Sequence, residues 1–180
     1  MWMTATAIVL DSTRMPKSLL PDYAVRGGEN DVTEFATNPV GPVVARASKK
    51  DIIRNATAEG AGVVLARLEE NALANNDNAL SVFGRLKAVA PVPPDGAEIE
   101  IFSHARGSKS SELIRSGVIQ KVEGPFVITK ARITEPGDAG APVLNADGEL
   151  IAMGYIGTAE ESRLLSVDWV FQKAGLKLVQ

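Results

Sequence analysis

Residues 135–145 read Glu-Pro-Gly-Asp-Ala-Gly-Ala-Pro-Val-Leu-Asn, and this stretch has the residue types of a built chemical site. Gly137 and Gly140 flank the pair Asp138-Ala139, with Pro136 before them and Pro142 after. Glycine allows backbone conformations and close approaches that a side chain forbids, and proline fixes an entry angle, so the pattern marks a tight functional turn. Asp147 and Glu149 follow closely, and three carboxylates so near in sequence raise the question of a hard cation. Their spacing lacks the ordered ligand pattern of a calcium loop, which favours turn and hairpin roles. The single histidine, His104, has no second histidine and no cysteine to join it as a metal ligand, and suits a strand end or surface. Residues 106–111, Arg-Gly-Ser-Lys-Ser-Ser, fit a solvated hairpin better than a phosphate site. We therefore expect no metal and no cofactor.

Composition narrows the partners. The chain has 180 residues, 45% of them hydrophobic, enough for one good core or two small ones. Nineteen basic against 22 acidic residues leave a formal net charge of -3, whereas phosphate binding normally shows as a basic excess. Nucleic acid is not expected as a partner. With no cysteine there is no disulfide or thiolate metal site, and a reducing compartment is tolerated. Residues 1–10, Met-Trp-Met-Thr-Ala-Thr-Ala-Ile-Val-Leu, lack a basic leading region and meet Asp11 and Arg14 soon after, so we expect neither a signal peptide nor a membrane span. The expected setting is the cytoplasm or a particle assembled inside a cell.

The elements that must position the turn are short and frequent. Residues 4–10 alternate as a strand does, Pro16 and Pro21 are expected to break the next segment, and residues 27–31 read as a turn. Residues 40–47 form a strand candidate, residues 49–57 one or two helical turns, and residues 62–68, Gly-Val-Val-Leu-Ala-Arg-Leu, a strand buried on both faces. Residues 91–96, Pro-Val-Pro-Pro-Asp-Gly, form the most rigid linker and divide the chain into halves 1–90 and 91–180. Beyond it, strands are predicted over 98–102, within 113–122, within 125–133 and over 149–155, with Asn145-Ala-Asp-Gly148 as a hairpin turn. Ser166 is the expected N-cap and Gly175 the C-cap of a closing helix that packs Trp169, Val170 or Phe171 inward. Many short strands with regular turn signals favour an antiparallel barrel or sandwich.

The Gly137-Asp138-Ala139-Gly140-Ala141-Pro142 run resembles the nucleophile turn Gly-Asp-Ser-Gly-Gly-Pro of chymotrypsin-like serine peptidases, in their small bacterial and viral form. The resemblance extends from about Gly62 to the C-terminus. It implies an all-β double antiparallel barrel, with the first barrel reduced, and a short C-terminal helix. It also implies that Ala139 stands at the nucleophile position and Gly62 at the acid position. The family places its histidine in the first barrel, whereas His104 lies in the second half. A methyl group cannot attack a carbonyl, and a triad that loses a member loses several orders of magnitude in rate. The backbone at Gly137 and Ala139 would retain a two-amide oxyanion hole able to hold a carboxylate or carbonyl, next to the carboxylate of Asp138. Ile133, six residues before Ala139, would give a specificity pocket with an apolar floor. The plainer account of the turn is that it closes the barrel.

These readings converge on a catalytically inactive trypsin-like protein, a pseudoprotease. It would act as a binding or structural module through a protein partner or self-association, for instance in a phage particle. The competing reading is a serine endopeptidase seen as a Ser-to-Ala variant or a fragment.

Overall fold

The computed structural model describes residues 7–36, 42–56, 60–73, 79–80, 84–102 and 114–179. His104 and residues 106–111 lie outside them.

Six strands of the first half, β1 (Ala7–Leu10), β2 (Pro16–Pro21), β3 (Thr33–Ala36), β4 (Val43–Ala47), β5 (Ile52–Arg54) and β6 (Gly62–Leu68), build one antiparallel sheet. Its hydrogen-bonded path runs β1-β2-β6-β4-β3, with β5 also against β6. Pro16 and Pro21 do not break this region. They are the first and last residues of β2, where a missing N–H disturbs the ladder least. Residues 49–57 also depart from expectation. A 3-10 turn, Lys49–Asp51, is closed by a capping box in which Ser48 N–H donates to Asp51 Oδ2 at 2.8 Å. Ile52 and Ile53 then pair with Val64 and Val63, because β-branched side chains fit a ladder beside β6 better than a helix. A four-residue helix α1 (Glu70–Leu73) and a short hairpin of β7 (Ala79–Leu80) and β8 (Gly84–Arg85) come next.

The 91–96 linker is pinned at both ends: Ala90 N–H donates to the Leu150 carbonyl, and Gly96 N–H to Ile119. Then β9 (Glu98–Phe102), β10 (Ile114–Glu123), β11 (Phe126–Thr129), β12 (Pro142–Leu144), β13 (Leu150–Gly157) and β14 (Ser162–Ser166) close into an antiparallel barrel, in the order β10-β11-β14-β13-β12-β9. The Asn145–Gly148 hairpin turn forms as its residues dictate, with Gly148 at φ +76 and Asn145 Oδ1 accepting the N–H groups of Asp147 and Glu149. Ser166 is not a helix cap. It is the last residue of β14, paired with Ala152, and Val167 takes the N-cap position of α2 (Asp168–Ala174) without a side-chain cap. Gly175, left-handed at φ +61, ends the helix. A last strand, β15 (Lys177–Leu178), then pairs with β1 and returns the C-terminus to the first sheet.

Period-2 alternation explains the cores. Val63 and Leu65 of β6 face a cluster shared with Leu144, Leu150, Met153, Leu165, Val170 and Phe171, while Val64 and Ala66 face one within the first sheet. Ile99, Ile101, Ile119, Val127, Ile151 and Leu164 fill the barrel. The shared cluster, with α2 across it, welds the two sheets. Removing residues 176–180, and with them buried Leu176 and the β15–β1 pairing, is expected to lower unfolding stability by about 3 kcal/mol in urea titration. An unshifted midpoint would show that this closure contributes nothing.

Candidate functional site

The 135–145 stretch forms two consecutive turns. Asp138 N–H donates to the Glu135 carbonyl at 3.0 Å around Pro136 and Gly137, and Ala141 N–H donates to the Asp138 carbonyl at 2.8 Å around Ala139 and Gly140. Gly137 at φ +104 and Gly140 at φ +83 occupy the third position of each turn, which needs that backbone sign. Gly140 N–H then donates to the Gly154 carbonyl, and Gly154 N–H to Ala141, both at 2.8 Å. This close passage requires glycine at 154, since a Cβ there would collide with the Asp138 carbonyl.

Asp138 is turned inward. Its side chain is 1% exposed, and its Oδ2 accepts Glu135 N–H at 2.6 Å and the Arg115 guanidinium through Nη2. Arg115, 11% exposed at the start of β10, donates through Nε to the Ile133 carbonyl at 2.7 Å. Its Nη1 is buried without a hydrogen-bond partner and lies 3.7 Å from Glu135 Oε2. With the carboxylate held inside, the turn presents backbone outward. Neither Gly137 N–H nor Ala139 N–H donates to another described residue. Both residues line an open pocket of about 240 Å³ with Arg132, Thr134, Glu135, Pro136, Tyr155, Ile156 and Gly157. Two unpaired amides at its wall can hold a carbonyl or anionic oxygen.

Tyr155, also in the pocket wall, contacts the 3-10 turn Asp22–Ala24 of the first half. Tyr155 O–H donates to Asp22 Oδ1 at 2.8 Å, and Tyr23 O–H donates to the Tyr155 carbonyl at 2.6 Å. The two rings meet edge-on, with centroids 5.1 Å apart. Arg54 Nη1 donates to Asp22 Oδ2 at 3.0 Å. Burial raises both phenols, with the Asp22 charge and, for Tyr155, its hydrogen bond to Asp22 adding to the effect; Tyr23 is pushed up to about 12. Both are therefore neutral hydrogen-bond donors near pH 7.

The structure assembles some of the sequence candidates and separates others. Gly137, Asp138 and Ala139 meet at the pocket. Gly62 lies beside Asp22, and a Cβ on it would be 3.1 Å from Asp22 Oδ2, so a carboxylate reaches this corner from the 3-10 turn Asp22–Ala24. Ile133 is buried in the barrel core, where a Cβ at Gly117 would press on it, and Arg132 and Thr134 line the pocket on either side of it in sequence. Asp147 and Glu149 sit at the far end of β12 from Asp138, in their hairpin. Asp22, Tyr23, Arg115 and Tyr155 were not singled out by sequence. Tyr23 and Tyr155 are 132 residues apart and are the chain's two tyrosines, which is the one signal that was available.

No protein-family model matches the sequence, and no curated protein matches it. Solved structures do. A protease of Nocardiopsis is similar over 98% of this chain and 92% of its own, with a TM-score of 0.65 and 14% identity. Thermobifida fusca protease A is similar over 99% and 91%, with a TM-score of 0.65 and 15% identity. A serine protease of human pathogenic astrovirus is similar over 92% of each chain, with a TM-score of 0.52 and 14% identity. The fold is that of the chymotrypsin-like serine proteases. In this chymotrypsin-like fold the closed barrel is the second one and the Gly137–Gly140 turn leads into its strand β12. Among the described residues, no helix is long and apolar enough to cross a membrane.

This geometry carries two expected outcomes. Arg115→Met strands the buried Asp138 carboxylate and is expected to cost about 3–5 kcal/mol in urea unfolding, with much of the loss recovered in Arg115→Met/Asp138→Asn. The raised phenols bind their protons more tightly folded than unfolded. Their stabilisation is complete below the ordinary value of about 10 and is lost as pH rises through about 12. Ultraviolet titration is expected to show under half of the tyrosine ionised at pH ~10 in the folded protein, and ordinary titration in denaturant.

Proposed function

We propose that this chain is a non-hydrolytic binding module on a chymotrypsin-like scaffold, engaging another protein or a further copy of itself through the pocket beside the 137–140 turn. The observation that carries the reading is Ala139. Its methyl group belongs to a turn that lines the pocket and offers two unpaired amides, and a methyl group has no lone pair with which to form an acyl intermediate. At this corner Tyr155 of β13 meets Asp22 and Tyr23 from the 3-10 turn of the first half, and a phenol held near 12 is a poor general base at neutral pH. No imidazole is present among the described residues. The balanced charge and absence of cysteine suit a component of an intracellular assembly such as a phage particle.

A second reading, a serine endopeptidase whose native gene encodes serine at 139, draws support from the same unpaired amides, because acyl transfer needs such donors for its oxyanion. Fluorophosphonate labelling and turnover of a broad peptide library separate the two. We expect no labelling and no cleavage by the chain, and none by Ala139→Ser. Cleavage by the chain itself that a change at 137–140 abolishes would overturn the binding reading, and vigorous cleavage by Ala139→Ser would favour the second.

A further inference from the structure

Among the side chains that line the pocket, Arg132 is a cation whose outer nitrogens face no partner among the described residues. Its Nε donates to the Thr134 carbonyl at 2.6 Å, which fixes the guanidinium plane from within its own loop. Thr134 is fixed in turn. Its N–H and that of Ile133 each donate to Ser162 Oγ at 2.9 Å, and its hydroxyl shares a 2.8 Å hydrogen bond with the same oxygen, which is fully buried. Arg132 therefore stands on a segment that side-chain hydrogen bonds hold rigidly, although that segment belongs to no strand ladder. This arrangement leaves Nη1 and Nη2 available.

The acidic groups nearby already have partners. Asp138 is turned onto Arg115, and Glu135 Oε2 lies 3.7 Å from the same guanidinium. Both acids that line the pocket are thus turned toward Arg115, and neither is paired with Arg132. Space is available as well, about 240 Å³ in the pocket, and Gly157 packs so closely on Thr134 that a Cβ there would lie 2.5 Å from Thr134 Oγ1. The Gly137 and Ala139 amides add two donors.

We infer that the pocket is a carboxylate site in which Arg132 selects the ligand. The carboxylate comes from an acidic side chain or from a chain terminus, since a planar guanidinium with two parallel N–H donors matches either. This inference rests on the reading of the pocket as a binding site and gives that reading a ligand class. It replaces the apolar pocket floor that Ile133 suggested with a polar wall.

The test uses the whole chain and four blocked peptides, monitoring the backbone amide resonances of Gly137, Ala139 and Gly157. Acetyl-Ala-Ala-Ala-Glu-amide is compared with its Gln counterpart, and acetyl-tetra-alanine as free acid with its amide. We expect the Glu peptide, the free acid or both to bind about five- to tenfold tighter than the uncharged counterpart, with the preference weakened by salt and absent in Arg132→Gln. The first pair identifies a side-chain source and the second a chain-terminal one. Gly157→Ala is expected to weaken all four alike by displacing Thr134 from the pocket wall. Equal binding within both pairs, a preference that survives Arg132→Gln, or no binding at millimolar peptide would overturn the inference and leave the non-hydrolytic reading to its own test. Cleavage of the peptides would instead sink that reading, while a preference lost in Arg132→Gln would still uphold the carboxylate site.

Discussion

A buried ion pair at the base of one turn sets the geometry of everything around the pocket. Asp138 sits in a loop whose neighbours are glycine, alanine and proline, so the loop has little packing of its own to hold it. Drawing the carboxylate inside removes it from water, a cost that only a well-placed partner and further hydrogen bonds offset. Arg115 and the Glu135 N–H supply them, and Arg115 also fixes the Ile133 carbonyl. One guanidinium thus ties β10 to the loop and to the segment that leads into it. Because the side chain is satisfied inward, the backbone N–H groups of Gly137 and Ala139 are left on the outer face, where a ligand can meet them.

The second constraint is the contact between the two sheets. The apolar cluster around Leu65, Leu150, Met153 and Phe171 joins them without direction, as hydrophobic burial does. Orientation comes from the polar corner, where Tyr23, Asp22 and Tyr155 exchange hydrogen bonds across the seam. Tyr155 of that corner also lines the pocket, so the relative placement of the sheets and the shape of the site are set together. Phenols suit this position for a physical reason: each combines a large apolar ring with one donor, and burial keeps that donor protonated.

A fold shared with hydrolases does not carry hydrolysis with it, because chemistry resides in particular atoms placed on the scaffold. This scaffold carries unpaired amides, a rigid turn and a cation at the pocket wall. Such donors suit an oxygen-rich ligand whether or not a nucleophile is present.

Much of the architecture was legible in the chain alone. The alternation over 98–102, the Asn-Ala-Asp-Gly turn and the run over 62–68 are local patterns, and a local pattern suffices where one face or both must be apolar. The paired glycines and prolines around Asp138 likewise announced a turn, because positive φ is a property of single residues. The misplaced elements were those decided by a distant partner. Residues 52–54 became a strand because β6 was there to pair with, and Ser166 stayed in β14 because Ala152 opposed it. Only tertiary structure could reveal Arg115 beneath Asp138, Asp22 beside Gly62, or Arg132 rather than Ile133 at the pocket, since hydrogen bonds across tens of residues leave no periodicity in sequence. The sequence determined the turn, the alternation and the alanine at 139, and the packing of two sheets determined which side chains surround them.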